Sequence, residues 1–261
     1  MKIPIYQVDA FTSELFSGNP AAVCMLDEWL DDEFLQAVAA ENNLSETAFL
    51  LKCDDGFEIR WFTPLTEVAL CGHATLASAF VVFNCLGWPQ DAVNFHSLRS
   101  GVLSVVRNKE LYEMDFPSRP PSKQNIPERL ADALNCMPLE VLGTATDLLV
   151  ILEHESDVRR LKPNLPLLMQ IEQRGIIVSA PGDGCDFVSR FFAPHIGIPE
   201  DPVTGSAHCI LIPYWAKRLN RRRLHARQVS SRSGVLLCED RGNRVGIAGK
   251  AVLYLEGTII K

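Results

Sequence analysis

Three stretches of the chain carry residues that could move a proton or hold an anion. Glu200-Asp201-Pro202-Val203-Thr204-Gly205-Ser206-Ala207-His208 sets carboxylates, hydroxyls and an imidazole around a glycine. Cys71-Gly72-His73-Ala74-Thr75 sets a thiol and an imidazole around another. Glu46, in Ser45-Glu46-Thr47, stands at the mouth of the apolar run Ala48 to Leu51. Carboxylates, imidazoles and thiols are the usual general acids and bases. A glycine opening an apolar helix leaves backbone N–H groups and the positive end of the helix dipole available to an anion. For Glu46 two readings stand side by side: a solvated charge at a strand edge, or a placed acid/base.

The settings of the two glycines repeat. Phe57-x-x-Arg60-Trp61-Phe62-x-Pro64 precedes Gly72, and Phe187-x-x-Arg190-Phe191-Phe192-x-Pro194 precedes Gly205. Each glycine opens an apolar stretch that stops fifteen residues on, at Gly87 and at Asn220. Gly and Asn most readily take the left-handed conformation that closes a helix. The offset is 130 residues at the strand pattern and 133 at the glycine, in a chain of 261. A duplicated α/β unit fits that arithmetic better than a solenoid, whose repeats are much shorter. Two such helix starts facing each other would make a carboxylate-binding cleft between domains, with a small anion expected between Gly72-His73 and Gly205-Ser206. The plainer reading is two ordinary strand–helix turns, with small residues for close packing. Gly175-Ile176-Ile177-Val178 occupies the point in the second half that Glu46 occupies in the first, so only one half carries a carboxylate there.

The elements that must position these residues are legible in outline. A strand over Ile3 to Ala10, a turn at Phe16-Ser17-Gly18-Asn19-Pro20 and an apolar strand over 21–26 open the chain. Asn19 is a turn residue or, alternatively, an amide aimed at the cleft. Asp31-Asp32-Glu33 starts an amphipathic helix with Phe34, Leu35, Val38 and Ala39 on one face. Residues 74–86 are apolar almost all round, which predicts a buried central helix. Strands follow near 93–95, 103–107 and 112–116, and Pro117-Ser118-Arg119-Pro120-Pro121 marks the crossing between domains. The second half reads as a helix over 127–134, a strand over 148–152, a helix over 164–173 and a buried helix after Gly205. Pro213 should kink or shorten that last helix. Arg218, Arg221, Arg222, Arg223 and Arg227 follow it as a solvated basic cluster, and strands near 235–239, 244–247 and 251–255 close the chain.

Composition narrows the function classes. Hydrophobic content of 47% and charged content of 22% are those of a globular protein. A net charge of −7 argues against a nucleic-acid surface. No apolar run is long enough to span a membrane. The eight cysteines form no C-x-x-C pair and follow no secretory leader, so a reducing cytoplasm is expected. The six histidines lack metal-ligand spacing and no phosphate-cradling G-x-G-x-x-G is present, so neither metal nor cofactor is expected.

Taken together, these motifs resemble the PhzF-like family, phenazine-biosynthesis isomerases of the diaminopimelate epimerase-like fold. The resemblance runs through Val8-Asp9-Ala10-Phe11-Thr12, Gly18-Asn19-Pro20-Ala21-Ala22-Val23, Ser45-Glu46-Thr47-Ala48-Phe49 and Cys71-Gly72-His73-Ala74-Thr75. It continues through Glu200 to His208, Ala226-Arg227-Gln228 and Gly249-Lys250-Ala251, and is weakest over 119–172. It implies an α+β fold of two similar domains, each a curved sheet around a central helix, with the site in the cleft between them. The domains would be 1–117 with 250–261, and 118–249, the last strand returning to the first domain. It implies Glu46 as general acid/base, with His73, Asp201 and Ser206 lining the pocket and backbone at Gly72 and Gly205. Catalytic Glu46, Asp201 and His73, with substrate-binding Asn19, Gly72, Ala74, Thr204, Gly205 and Ser206, form the expected site. No cofactor or metal is implied, and a homodimer is.

Related epimerases and racemases oppose two thiols. Here Cys71 matches the first, but Thr204 stands in place of the second, and a hydroxyl is far too weak an acid for that role near neutrality. The expected activity is therefore a cofactor-independent isomerisation of a small carboxylic acid. Glu46, its pKa raised by burial, would shuttle the proton, and the helix N-termini would stabilise the enolate-like charge. An epimerase using Cys71, or a ligand-binding protein without turnover, are the alternatives.

Overall fold

The computed structural model describes all 261 residues. They form two compact units, Met1–Asp115 with Ala248–Lys261, and Phe116–Ile247. The first unit opens with strands β1 (Lys2–Ala10) and β2 (Asn19–Leu26), helix α1 (Asp32–Asn42) and strands β3 (Glu46–Cys53), β4 (Gly56–Phe62) and β5 (Glu67–Val68). Helix α2 (Gly72–Asn84) and strands β6 (Ala92–Ser97), β7 (Gly101–Asn108) and β8 (Leu111–Pro117) follow. The second unit holds β9 (Ser122–Lys123), α3 (Leu130–Leu134), β10 (Glu140–Gly143), β11 (Asp147–Ile151), α4 (Glu155–Arg160) and α5 (Leu165–Leu168). Its later part is β12 (Gly175–Pro181), β13 (Phe187–Ala193), β14 (Ile198–Asp201), α6 (Gly205–Leu219), β15 (Arg223–Gln228), β16 (Gly234–Asp240) and β17 (Arg244–Gly249). The last strand, β18 (Ala251–Ile260), pairs antiparallel with β1 in the first unit. No helix is long and apolar enough to cross a membrane.

The duplication is a repeat of pairing. In the first unit β2 runs parallel to β3, β3 antiparallel to β4, and β4 parallel to β6. In the second β11 runs parallel to β12, β12 antiparallel to β13, and β13 parallel to β15. Thr47 faces Phe62 and Ile176 faces Phe192, which aligns Glu46 with Gly175. A side chain cannot be added at Gly175: its Cβ would lie 2.4 Å from the Phe191 ring and 2.8 Å from an Asp147 carboxylate oxygen. The second unit thus has no room for a counterpart of Glu46.

The repeated Phe-x-x-Arg pattern has a structural cause. Arg60 forks onto Glu67 at 2.8 and 3.0 Å and lies over the Phe62 ring at 5.1 Å. Arg190 forks onto Glu200 at 2.7 and 2.9 Å and lies over Phe192 at 4.9 Å. Each bidentate pair ties the strand carrying the arginine to the segment entering the next helix, and fixes where α2 and α6 begin. The glutamate of Glu200-Asp201 is spent on that pair.

Helix α2 packs against β1, β2 and β3 and is buried along nearly its whole length. Its hydroxyls avoid desolvation by turning back: Thr75 donates to the Cys71 carbonyl at 2.6 Å and Ser78 to the Ala74 carbonyl at 2.7 Å. Gly87 and Asn220 both take positive φ, at 67° and 52°.

Several sequence expectations change. Helix α6 runs unbroken for fifteen residues through Pro213. Proline removes the N–H that would have reached the Cys209 carbonyl one turn back, and the Arg119 backbone N–H fills that acceptor at 2.9 Å. The helices expected over 127–134 and 164–173 are shorter, at Leu130–Leu134 and Leu165–Leu168. Much of the basic cluster is paired: Arg218 with Glu140 at 3.6 Å, Arg221 with Asp186 at 2.9 Å and Arg223 with Glu239 at 3.1 Å.

Candidate active site

In the first unit β2, β3 and the start of α2 bring together Asn19, Glu46, Cys71, Gly72, His73 and Ala74. Glu46 is the first residue of β3, faces Ala21 of the parallel strand β2, and is buried, 8% exposed. Asn19 opens β2, fully buried, and its amide meets His73 Nδ1 at 3.1 Å. His73, the second residue of α2, points its Nε2 at Glu46 Oε2, 3.1 Å away. The approach is off the line of the ring N–H, so both atoms make an ion-pair contact without an aligned hydrogen bond. Cys71 Sγ lies 3.5 Å from His73 Nδ1.

The electrostatics assign different states to these groups. Burial pushes the Cys71 thiol up to about 11, so it is uncharged near neutrality. Burial alone would lower the His73 imidazole, but Cys71 and Glu46 beside it outweigh burial and raise it well above the ordinary histidine range. His73 is thereby biased toward its protonated form beside Glu46. Asn19 meets His73 Nδ1 through its amide nitrogen, and the other ring nitrogen, Nε2, faces Glu46.

Glu46, Cys71 and His73 offer one ligand atom each within 4.8 Å of one another. A metal there would have to displace the proton of a buried neutral thiol and compete with a proton for an imidazole whose pKa is raised. The set suits proton transfer better than metal binding.

In the second unit the start of α6 gathers Asp201, Thr204, Gly205 and Ser206. Thr204 Oγ1 donates to Asp201 Oδ2 at 2.5 Å. Gln228, wholly buried on β15, accepts from the Thr204 backbone N–H at 2.9 Å and donates to the Asp201 carbonyl at 2.7 Å. Ser206, the position aligned with His73, lies 3.4 Å from Arg174 Nη2. Arg174 in turn forks onto the fully buried Asp147 at 2.9 and 2.7 Å. Neither Cys71 nor Thr204 caps its helix with its side chain. Residue types alone did not assign roles to Gln228, Asp147 or Arg174. Gln228 stands in the Ala226-Arg227-Gln228 motif, and that motif is the signal that could have found it.

The Thr204 hydroxyl is held by Asp201 and Gln228. The neutral Cys71 thiol has no acidic counterpart at that aligned position. Cys71→Ser is expected to keep most activity and to change stability by about 1–2 kcal/mol or less. Urea unfolding and a turnover assay check this; a hundredfold loss of activity would instead make the thiol a participant.

Comparisons with known proteins agree with this architecture. An uncharacterized isomerase of Pseudomonas aeruginosa is 52% identical over 259 residues, covering 99% of both chains. The crystal structure of a PhzF-family phenazine biosynthesis protein from Enterococcus faecalis superposes with a TM-score of 0.97 at 46% identity, over 100% of both chains. A probable proline racemase from Agrobacterium radiobacter, 9% identical, superposes with a TM-score of 0.65 over 99% of this chain and 93% of that one. This last likeness concerns the fold, an α+β architecture of the diaminopimelate epimerase-like kind. A family model described as phenazine biosynthesis-like protein matches residues 8–257, nearly the whole chain, and the chain belongs to that PhzC-PhzF family.

Proposed function

We propose that the protein is a cofactor-independent isomerase that moves a proton between two carbons of a small carboxylic acid. Family membership and the isomerase names of close relatives support the class. The observation that carries the finer reading is the buried Glu46 side chain held 3.1 Å from His73 Nε2 at the start of α2.

In this reading Glu46 takes a proton from a carbon near the substrate carboxylate and returns it at another carbon. As Glu46 becomes neutral, negative charge develops on the substrate. The His73 imidazolium and the N–H groups at Gly72-His73 stabilise that charge without reorganising. Asn19 holds the His73 ring, Asp201 orients a polar substituent of the substrate or relays the proton, and Thr204, Gly205 and Ser206 are assigned to substrate binding. The neutral thiol of Cys71 leaves the alternative of a thiol-based epimerase without its base.

A thermal-shift screen of small metabolites, followed by incubation of each hit in D2O, tests the assignment. Carboxylic acids should dominate the hits, and at least one should gain deuterium at carbon or isomerise without added metal or cofactor. Hits confined to neutral or cationic compounds, or hits that never exchange, would overturn it.

A further inference from the structure

Cys53, Asp55 and His96 converge at the far end of β3 from Glu46. Cys53 ends the strand, Asp55 lies in the turn into β4, and His96 lies on β6. Their ligand atoms all fall within 4.8 Å of one another. Asp55 Oδ1 is 2.8 Å from His96 Nε2 and 3.9 Å from Cys53 Sγ. His96 Nε2 is itself buried and has no aligned hydrogen bond, although a third of the His96 side chain is exposed.

The backbone is shaped to hold the three together. Gly56 faces Asn94 in the parallel pair of β4 and β6, and Glu58 faces His96. A Cβ on Gly56 would lie 2.1 Å from the Asn94 carbonyl oxygen, so only glycine lets the turn come this close to β6. A cavity of about 220 Å³ lies beside His96, with Trp29, Glu58 and Arg60 among its lining. Burial, then the charges of Asp55, Glu58 and Asp54, raise the Cys53 thiol. The same acidic surroundings favour an arriving cation.

We propose that Cys53, Asp55 and His96 form a binding site for a zinc ion. One sulfur, one imidazole nitrogen and one carboxylate oxygen make a donor set of the borderline softness zinc prefers, with water as fourth ligand. Tetrahedral zinc holds its ligands at about 2.0–2.3 Å, which fits donors already gathered at these separations after small side-chain adjustments. On binding, Cys53 gives its proton to solvent and becomes a thiolate, and Asp55 and His96 turn from each other to the metal. The metal ties the β3–β4 turn to β6. Seven residues of strand, at roughly 3.3 Å each, separate it from Glu46, so it takes no part in the chemistry proposed there. Linear spacing hides this site because its histidine arrives through strand pairing.

Cobalt titration of chelator-treated protein is the test, since a cysteine thiolate bound to Co²⁺ gives a near-ultraviolet charge-transfer band. The full chain should take up one equivalent, Zn²⁺ should displace it, and equimolar Zn²⁺ should raise the melting temperature. Cys53→Ser should abolish the band, and His96→Gln should weaken binding about tenfold or more, with circular dichroism unchanged in both. Cys71→Ser should bind as the parent does. No band in the parent chain, a band that survives Cys53→Ser, or one lost in Cys71→Ser would overturn the proposal; the last would place the metal at Glu46, Cys71 and His73.

Discussion

Glu46→Gln is expected to lower turnover by about 100- to 10,000-fold, the usual effect of removing a positioned acid/base. Glutamine keeps the shape of the side chain and a hydrogen-bonding head beside His73, but it cannot carry the proton. Ligand affinity should therefore change little, because the uncapped start of α2 and the packing around Asn19 are unaltered. Parallel measurement of kcat and of the dissociation constant separates these effects. Loss of both together would make Glu46 a binding residue. Near-normal turnover would end the proposed mechanism, since the aligned position in the second unit is Gly175, where Phe191 and Asp147 exclude any side chain.

The second large effect concerns acid stability. His208 is wholly buried on α6, its Nδ1–H donates to the Thr204 carbonyl at 2.8 Å, and its Nε2 is buried without a partner. Burial, opposed by that backbone contact, lowers its pKa to about 4. A depressed folded-state value means that the unfolded chain binds the proton first as pH falls. The stability that follows from a neutral His208 is fully present above about pH 6.5 and is lost between there and about 4, to the extent of about 3 kcal/mol. Urea unfolding at several pH values should show that slope in the parent protein and a flatter one in His208→Gln. Equal slopes would contradict the assignment. His73 acts in the opposite sense: its pKa is raised, so its contribution is present below the unfolded value and is lost as pH rises through the folded one. The two windows lie on opposite sides of the ordinary histidine pKa.

The fold was legible where the sequence carries period and repetition. Two Phe-x-x-Arg strands, two glycines opening apolar helices and the Asn220 cap of α6 report local backbone chemistry and appear at their places, whereas α2 ends at Asn84, before Gly87, with Cys85 as its cap. Pro213 was misleading because its cost depends on whether another donor reaches the Cys209 carbonyl, and the Arg119 N–H that does so is distant in sequence. The short helices near 130 and 165 were overextended because apolar spacing continues into the loops that pack on the same core. The site was partly legible. Glu46, His73, Asp201 and Thr204 stand in motifs whose spacing is local, but the partnership of His73 with Glu46 and Asn19 depends on the pairing of β2 with β3. Gln228, Asp147 and Arg174 act through side-chain bonds to residues distant in sequence, which leave little mark on a linear motif.

Return of the substrate's own hydrogen tests the central claim most directly. A substrate from the screen, deuterated at the carbon that loses its proton, is converted in H2O under single-turnover conditions. If Glu46 alone carries the proton, part of the label reappears at the receiving carbon of the product, and Glu46→Gln transfers none. Complete loss of label to solvent, with inversion at a single carbon, would show two bases on opposite faces and contradict the one-carboxylate account.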